Sequence, residues 1–194
     1  MTHTIPKNWH QEKLRDLFNF KNGVNAEKKS YGSGIPFINV MEIINFPALH
    51  VQNIPGKISV SKEIIEKNLV LKGDVLFNRT SETEDEIALS TVYLDEEPVI
   101  FGGFVIRGRP KNEKLTDGYK KYCFRSKIFR SALIRAGQGA VRSNIGQKDL
   151  DKIVITFPDK KEQLRIVSIL ETWDKAIEKI ELKIEVKKRV KEGL

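Results

Sequence analysis

"PDKKEQLRIVSILETWDKAIEKIELKIEVKKRVKEGL", residues 158–194, divides the chain into two unlike parts. Asp159 is a helix-capping residue with Glu162 three positions on, the spacing of a capping box, and Pro158 stands just outside. Ile166, Leu170, Trp173, Ile177, Ile180 and Ile184 then recur at alternating steps of four and three, a heptad seam rather than a broad globular stripe. Glu171 with Lys175, and Glu185 with Arg189, are favourable i,i+4 pairs. About 35 helical residues extend roughly 50 Å, too far to hide on a small domain, so the helix wants a partner. Packing against its own domain is the alternative. After Ile184 the register breaks: Lys187 and Lys191 take the next seam positions while Val186, Val190 and Leu194 shift the apolar face. Either the partner changes there or the coil stutters.

Residues 1–158 show no regular βαβ spacing. "NWHQEKLRDLFNFKNG" suits a short helix or a packed edge and ends in an Asn-Gly turn signal; "NAEKKSYGSG" is a polar, glycine-punctuated loop. "IPFINVMEI" reads as a strand and "SKEIIEKN" as a short helix capped by Ser61. Further strands are expected over 74–78, 88–94 and 99–107, the last with Gly102-Gly103 marking a bulge or a close approach. "TDGYKKYCFRSKIFRSALIRAG" is helical in two pieces with Tyr119, Tyr122, Phe129 and Leu133 on its apolar side, stopped by Gly137. "GQGAVRSNIGQKDL" is a loop turning into a short helix, and 153–157 is a short strand ended by Pro158. The expected fold class is therefore α/β, an irregular mixed sheet with short helices over 1–158, followed by a long coiled-coil helix over 159–194.

A hydrophobic share of 40% and a charged share of 31% are those of an ordinary folded chain of 194 residues. No apolar run approaches the roughly 18–20 residues of a membrane span, and the start lacks an apolar signal core, so a cytoplasmic protein without membrane contact is expected. Cys123, the single cysteine, excludes an internal disulfide and reads as a half-buried helical side chain. The net charge of +8 is unevenly placed. Residues 111–148 hold ten Lys or Arg against two acids, whereas 82–97 hold seven acids and no base. Such segregation points to a surface for a polyanion or to a solvated lysine-rich helix.

Signatures of catalysis are missing. There is no GxxxxGK[ST], no GxGxxG after a strand, no HExxH and no N-P-P-Y-type adenine pocket. His3, His10 and His50 have no triad neighbours in sequence. The Asp, Lys and Glu of "PDKKEQ" could be imagined as a nuclease site, but the helix cap explains them better. The acids at 82–86 lack the oxygen spacing and glycine of a calcium loop. No cofactor and no metal is expected.

In order, "IPKNWHQEKLRDLF", "KGDVLFNRT", "VIRGRPK", "SKIFRSALI" and "GQGAVRSNIGQKDLDKIVITFPDKKEQLRIVSILETWDKAIEKI" resemble the specificity subunit of type I restriction–modification systems. The most specific part is the G-x-G-x-x-R-x-N-I loop, short helix, I-x-I-x-x-P strand and EQ-starting long helix in fixed succession. The resemblance implies a non-catalytic DNA-recognition subunit. In that family two target recognition domains are held apart by antiparallel helices, and each reads half of a split double-stranded DNA sequence. Methyltransferase subunits that use S-adenosylmethionine on adenine N6 dock on the helices, and motor-nuclease subunits that use ATP and Mg complete the enzyme. With one domain and one helix, this chain is a half subunit that self-associates through the helix, or a truncated first half. Other readings are a dimerisation module that binds no DNA and the recognition end of a fused restriction–methylation enzyme.

The resemblance also gives sense to "LKGDVLFNRTSETEDEIALS", residues 71–90, where an apolar run breaks into polar hydrogen-bonders. Arg79, Thr80 and Ser81 become candidates for base or phosphate contact; an ion pair of Arg79 with Asp85 or Glu86 is the structural alternative. Gln138, Arg142, Ser143 and Asn144 form a second candidate set, or a loop that positions the long helix. Lys28, Lys29, Ser30, Tyr31 and Ser33 are candidates for base reading. Lys120, Lys121, Arg125, Lys127 and Arg130 are candidates for non-specific phosphate attraction.

Overall fold

The computed structural model describes residues 6–25, 27–81, 86–137 and 143–193. Along the chain, β1 (Trp9–Lys13), α1 (Leu14–Leu17) and β2 (Phe18–Asn22) lead to β3 (Tyr31–Ile38), α2 (Val40–Asn45) and β4 (Ala48–Leu49). Next come β5 (Lys57–Ile58), α3 (Lys62–Asn68), β6 (Val75–Asn78), β7 (Thr80–Ser81), β8 (Ser90–Tyr93), β9 (Ile100–Phe101) and β10 (Val105–Pro110). The remainder is α4 (Asp117–Cys123), α5 (Lys127–Gly137), β11 (Ser143–Asn144), α6 (Gln147–Lys152), β12 (Val154–Pro158) and α7 (Lys160–Lys191).

A five-stranded sheet in the order β2-β10-β6-β8-β4 forms the centre. All its pairings are antiparallel except β4 with β8. The apolar run at β6 follows from this position: Val75 and Phe77 face one core while Leu76 faces another, so both faces of the strand are buried. The first core holds a ring cluster in which Phe124 lies 5.6 Å from Phe18, 5.5 Å from Phe77 and 4.9 Å from Phe129. The second collects Ile38, Ile43, Leu49, Tyr93 and Phe101. Three smaller sheets, β5-β3-β9, β1-β12 and β11-β7, surround the centre.

The mixed sheet, short helices and long final helix are those the sequence predicts, with four local differences. The strand expected over 35–43 ends at Ile38, and Asn39 caps helix α2 from Val40, the Asn39 amide donating to the Glu42 carboxylate at 2.8 Å. The segment after Asn8 is a strand, a one-turn helix and a second strand. The expected strand over 99–107 splits at Gly102-Gly103 into β9 and β10, which serve different sheets. The glycines permit a close approach: a Cβ on Gly103 would lie 1.7 Å from Asn25 Oδ1. Finally, the second half of the expected loop at 25–34 belongs to β3, whose pairing with β5 shifts between Tyr31 and Ile35. Gly32 and Gly34 take positive φ in that irregularity.

Helix α7 begins as the capping residues dictate, with the Asp159 carboxylate accepting from the Glu162 amide at 2.9 Å. Gln163 is fully buried, donating to the Lys114 and Pro158 carbonyls and accepting from the Thr116 amide. Val167 packs where α4 has Gly118. Ile166 and Leu170 are half-buried, and from Trp173 onward the seam side chains stand in solvent.

Candidate nucleic-acid interface

Strand β6 delivers Asn78 into the core, where its amide donates to the Glu86 carbonyl at 3.0 Å. Its backbone exchanges bonds with Leu89 and Ala88, which turns the chain outward at Arg79. The Arg79 amide donates to the Phe104 carbonyl at 3.1 Å, and its guanidinium reaches the Gly103 carbonyl at 3.4 Å. The Arg79 carbonyl accepts from Ile145 at 2.9 Å. Beyond it, β7 pairs antiparallel with β11, Ser81 opposite Ser143 and Thr80 opposite Asn144. Two segments that the sequence offers as separate candidates thus form one ribbon.

On that ribbon Asn144 is exposed, while Arg79, Thr80 and Ser81 are half-buried. Ser81 donates to Glu86 at 2.9 Å, so Glu86 engages the serine and not Arg79. The Thr80 hydroxyl is buried and has no hydrogen-bond partner among the described residues. Gln138, Arg142 and the acids at 82–85 lie outside the described residues, as do the side chains of Ser143 and Lys28.

The base-reading segment lies on β3 and the turn before it. Lys29 and Ser33 are exposed, and Lys29 pairs with Glu27 at 2.7 Å. The Ser30 carbonyl accepts from Ser59, and Tyr31 sits edge-on to Phe37 with ring centres 5.5 Å apart. This segment and the ribbon lie on connected elements, since β3 pairs with β9 and β9 runs into the Gly102–Gly103–Phe104 turn that Arg79 holds. That turn shows a side chain the sequence reading missed. Phe104 is 66% exposed beside Arg79, and the Gly-Gly pair before it was the available signal.

The basic window divides differently from the sequence expectation. Lys120 is 3% exposed, donates to the Gly73 carbonyl at 2.7 Å and pairs with Asp117 at 2.6 Å. Arg125 donates to the carbonyls of Ser90 at 2.7 Å and Ile44 at 3.0 Å, and also to that of Ile43. Burial, and next the charge of Arg130, push its guanidinium pKa down. Arg130 donates to the Ile87 carbonyl at 3.3 Å. Lys121 donates to Asp174 at 2.7 Å and to the Tyr122 hydroxyl at 3.0 Å. Lys120, Lys121 and Arg125 are therefore corrected from phosphate attractors to groups that hold elements together. A lysine or arginine on a helix facing the fold satisfies carbonyls there, and its charge counts for little outside. Lys127 is exposed and keeps the phosphate role open.

No cluster of three or more His, Cys, Asp or Glu that could hold a metal occurs among the described residues. Among the described residues no helix is long and apolar enough to cross a membrane. Burial pushes the Cys123 thiol up to about 12, so this cysteine is not an activated nucleophile. His50 pairs with Asp95 at 2.7 Å.

Comparison with known proteins fits this geometry. The family model for the type I restriction modification DNA specificity domain matches residues 6–188. A Methanocaldococcus jannaschii protein named as the type I restriction enzyme MjaX specificity subunit is 26% identical over 98% of this chain and 45% of its own length. A chain from a structure of the type I R-M system superposes with a TM-score of 0.69 at 18% identity, covering 92% of this chain and 41% of that one. The HsdS subunit from Thermoanaerobacter tengcongensis gives 0.64 at 19% identity over 91% and 40%. This chain spans less than half the length of each of these relatives.

Proposed function

We propose, on the premise that this chain belongs to the type I restriction modification DNA specificity family, that it reads one half of a bipartite DNA target and catalyses nothing itself. The observation that carries the reading is the ribbon. It gathers Arg79, Thr80, Ser81 and Asn144 at one place, with Phe104 beside them. Arginine and asparagine can read guanine and adenine edges bidentately, while the Ser81 hydroxyl is held by Glu86 and the Thr80 hydroxyl is buried. Residues 1–158 do the reading. The helix over 159–194 self-associates with a second copy through Trp173, Ile177, Ile180 and Ile184, which are exposed in the single chain.

Methyltransferase subunits dock on the assembled helices and supply adenine-N6 methylation with S-adenosylmethionine. Motor-nuclease subunits supply ATP- and Mg-dependent cleavage. A twofold pair of half subunits requires a gapped palindrome as its target. The test is co-purification with a methyltransferase subunit of the same restriction–modification system, followed by selection of bound duplexes from a random pool. A gapped palindrome supports both the reading and the pairing. A single short motif keeps the DNA role and removes the pairing. No enrichment from an intact complex at low salt overturns the reading in favour of a pure interaction module.

A further inference from the structure

We propose that Asp174 is a positioning residue: gripped by Lys121 and Tyr122, it fixes the direction of α7 against the domain and thereby the gap between two half-sites. The gap part of this inference rests on the bipartite reading above.

The tightest anchors of α7 lie in its first turns. Gln163 is bonded to the backbone at Lys114, Thr116 and Pro158, and Val167 fills the space over Gly118, where a Cβ would lie 2.9 Å from its Cγ1. These anchors sit close together along the helix and act as a pivot. Asp174 lies two turns beyond Val167, flanked by exposed Trp173 and Lys175, with half-buried Leu170 and Ala176 the other contacts of this stretch with the domain side. Its Oδ2 accepts from Lys121 at 2.7 Å and from the Tyr122 hydroxyl at 2.8 Å, both side chains belonging to α4. Lys121 also lies over the Tyr122 ring, 4.5 Å from its centre, so the three groups form one unit. The Lys121 hydrogen bond holds the Asp174 carboxyl below the usual carboxylate range, and the pair stays charged at neutral pH.

Lever arithmetic gives the clamp its consequence. Ile180 in the seam lies about 25 Å along the axis from Gln163, and Asp174 about 16 Å. One base-pair step is roughly 3.4 Å, so a swing of about 7° about Gln163 moves Ile180 by one step. The same swing moves Asp174 by about 2 Å, and hydrogen bonds near 2.7 Å do not survive that. The clamp therefore resists the rotation that would shift a paired domain by one base pair. The pivot residues, with their short lever, resist it poorly.

Two measurements on the full chain test this separately. Spin labels at Lys62→Cys and Lys188→Cys, in a Cys123→Ala background diluted into unlabelled chain, report the helix direction with no DNA present. Asp174→Ala should broaden the distance distribution, and Lys121→Asp combined with Asp174→Lys should narrow it again. An unchanged distribution in Asp174→Ala overturns the clamp, whatever the chain binds. In the complex with the methyltransferase subunit, the selected half-sites are then placed at the selected gap and at gaps one base pair shorter and longer. Preference for the selected gap should fall roughly three- to tenfold in Asp174→Ala while the half-sites stay the same. A broadened distance with an unaltered gap profile overturns the role in gap choice. If the intact chain selects no bipartite site, the bipartite reading and the gap role fail together, and the distance measurement still decides the clamp.

Discussion

Arg125 and Arg79 carry the same side chain, and the fold uses them in opposite ways. Arg125, in the turn between α4 and α5, gives its guanidinium to three backbone carbonyls from two other elements. Arg79, at the start of the ribbon, spends one long bond on Gly103 and is otherwise tied down through its backbone. The helical region thus consumes cations as internal ties, while the ribbon fixes its backbone and leaves most of the Arg79 guanidinium donors over. A surface for a partner is recognised by unspent donors on a rigid frame, and a local excess of charge is a poor guide to it.

The largest effect that could break this contrast lies at Arg125. Arg125→Ala leaves the carbonyls of Ser90, Ile43 and Ile44 without their donor and should cost about 3 kcal/mol of stability. Chemical denaturation would show it as a lowered midpoint at unchanged slope. Lys120→Ala should act in the same direction, since Lys120 is buried between Gly73 and Asp117. Full stability in both variants would mean that the helical region has charge to spare after all.

Arg79→Ala should do the reverse. The folded state should shift by no more than about 0.5 kcal/mol, while affinity for the selected duplex falls by about 1–3 kcal/mol with relaxed preference at one base pair. Uniform weakening across sequences would move Arg79 from base edge to phosphate. Titrations of wild type and variant against the selected site and its single-base changes separate the two.

Much of this was legible in the sequence. Asp159 caps α7 as its sequence position predicts, although Glu162 closes no reciprocal bond and pairs with Arg165 at 3.3 Å, and the seam residues left exposed are the ones whose spacing marks them for a partner. The apolar run at residues 75–77 reads as a strand because β6 is buried on both faces. The pairing of Thr80 with Asn144 was not legible, since two-residue strands carry no periodicity and their register is set by Ile145 and Arg79 across a long separation. Nor could charge counting tell Lys120 from Lys127, because which side of a short helix meets the fold depends on packing. Phe104 escaped notice because a single aromatic in a strand-like stretch normally points inward.

Phe104 sharpens the contrast from the apolar side. The Val105 amide donates to the Gly102 carbonyl at 3.0 Å, so the turn is closed and the ring is presented from a fixed backbone. If it meets a thymine methyl, Phe104→Ser should weaken binding by about 0.8 kcal/mol, the worth of one buried methyl. Replacing thymine by uracil at that position should weaken the wild type equally and the variant not at all. Equal sensitivity of both proteins to uracil would remove the ring from the reading surface.

The smallest expected effect is the most diagnostic, because Lys127 lies only two positions from Arg125. Lys127 is exposed in the first turn of α5, where a cation near the helix N-terminus gains nothing from the helix dipole. Lys127→Gln should therefore leave the denaturation midpoint unchanged or raise it slightly. If Lys127 neutralises a phosphate, the variant should lose affinity equally for every sequence, and the slope of log affinity against log salt should shrink by about 0.9. Raising the salt should then bring wild type and variant together, whereas the deficit of Arg79→Ala at its own base pair should persist. A Lys127→Gln variant with an unaltered salt slope would confine the DNA-facing surface to the ribbon and the Phe104 turn, with the basic window serving the fold alone.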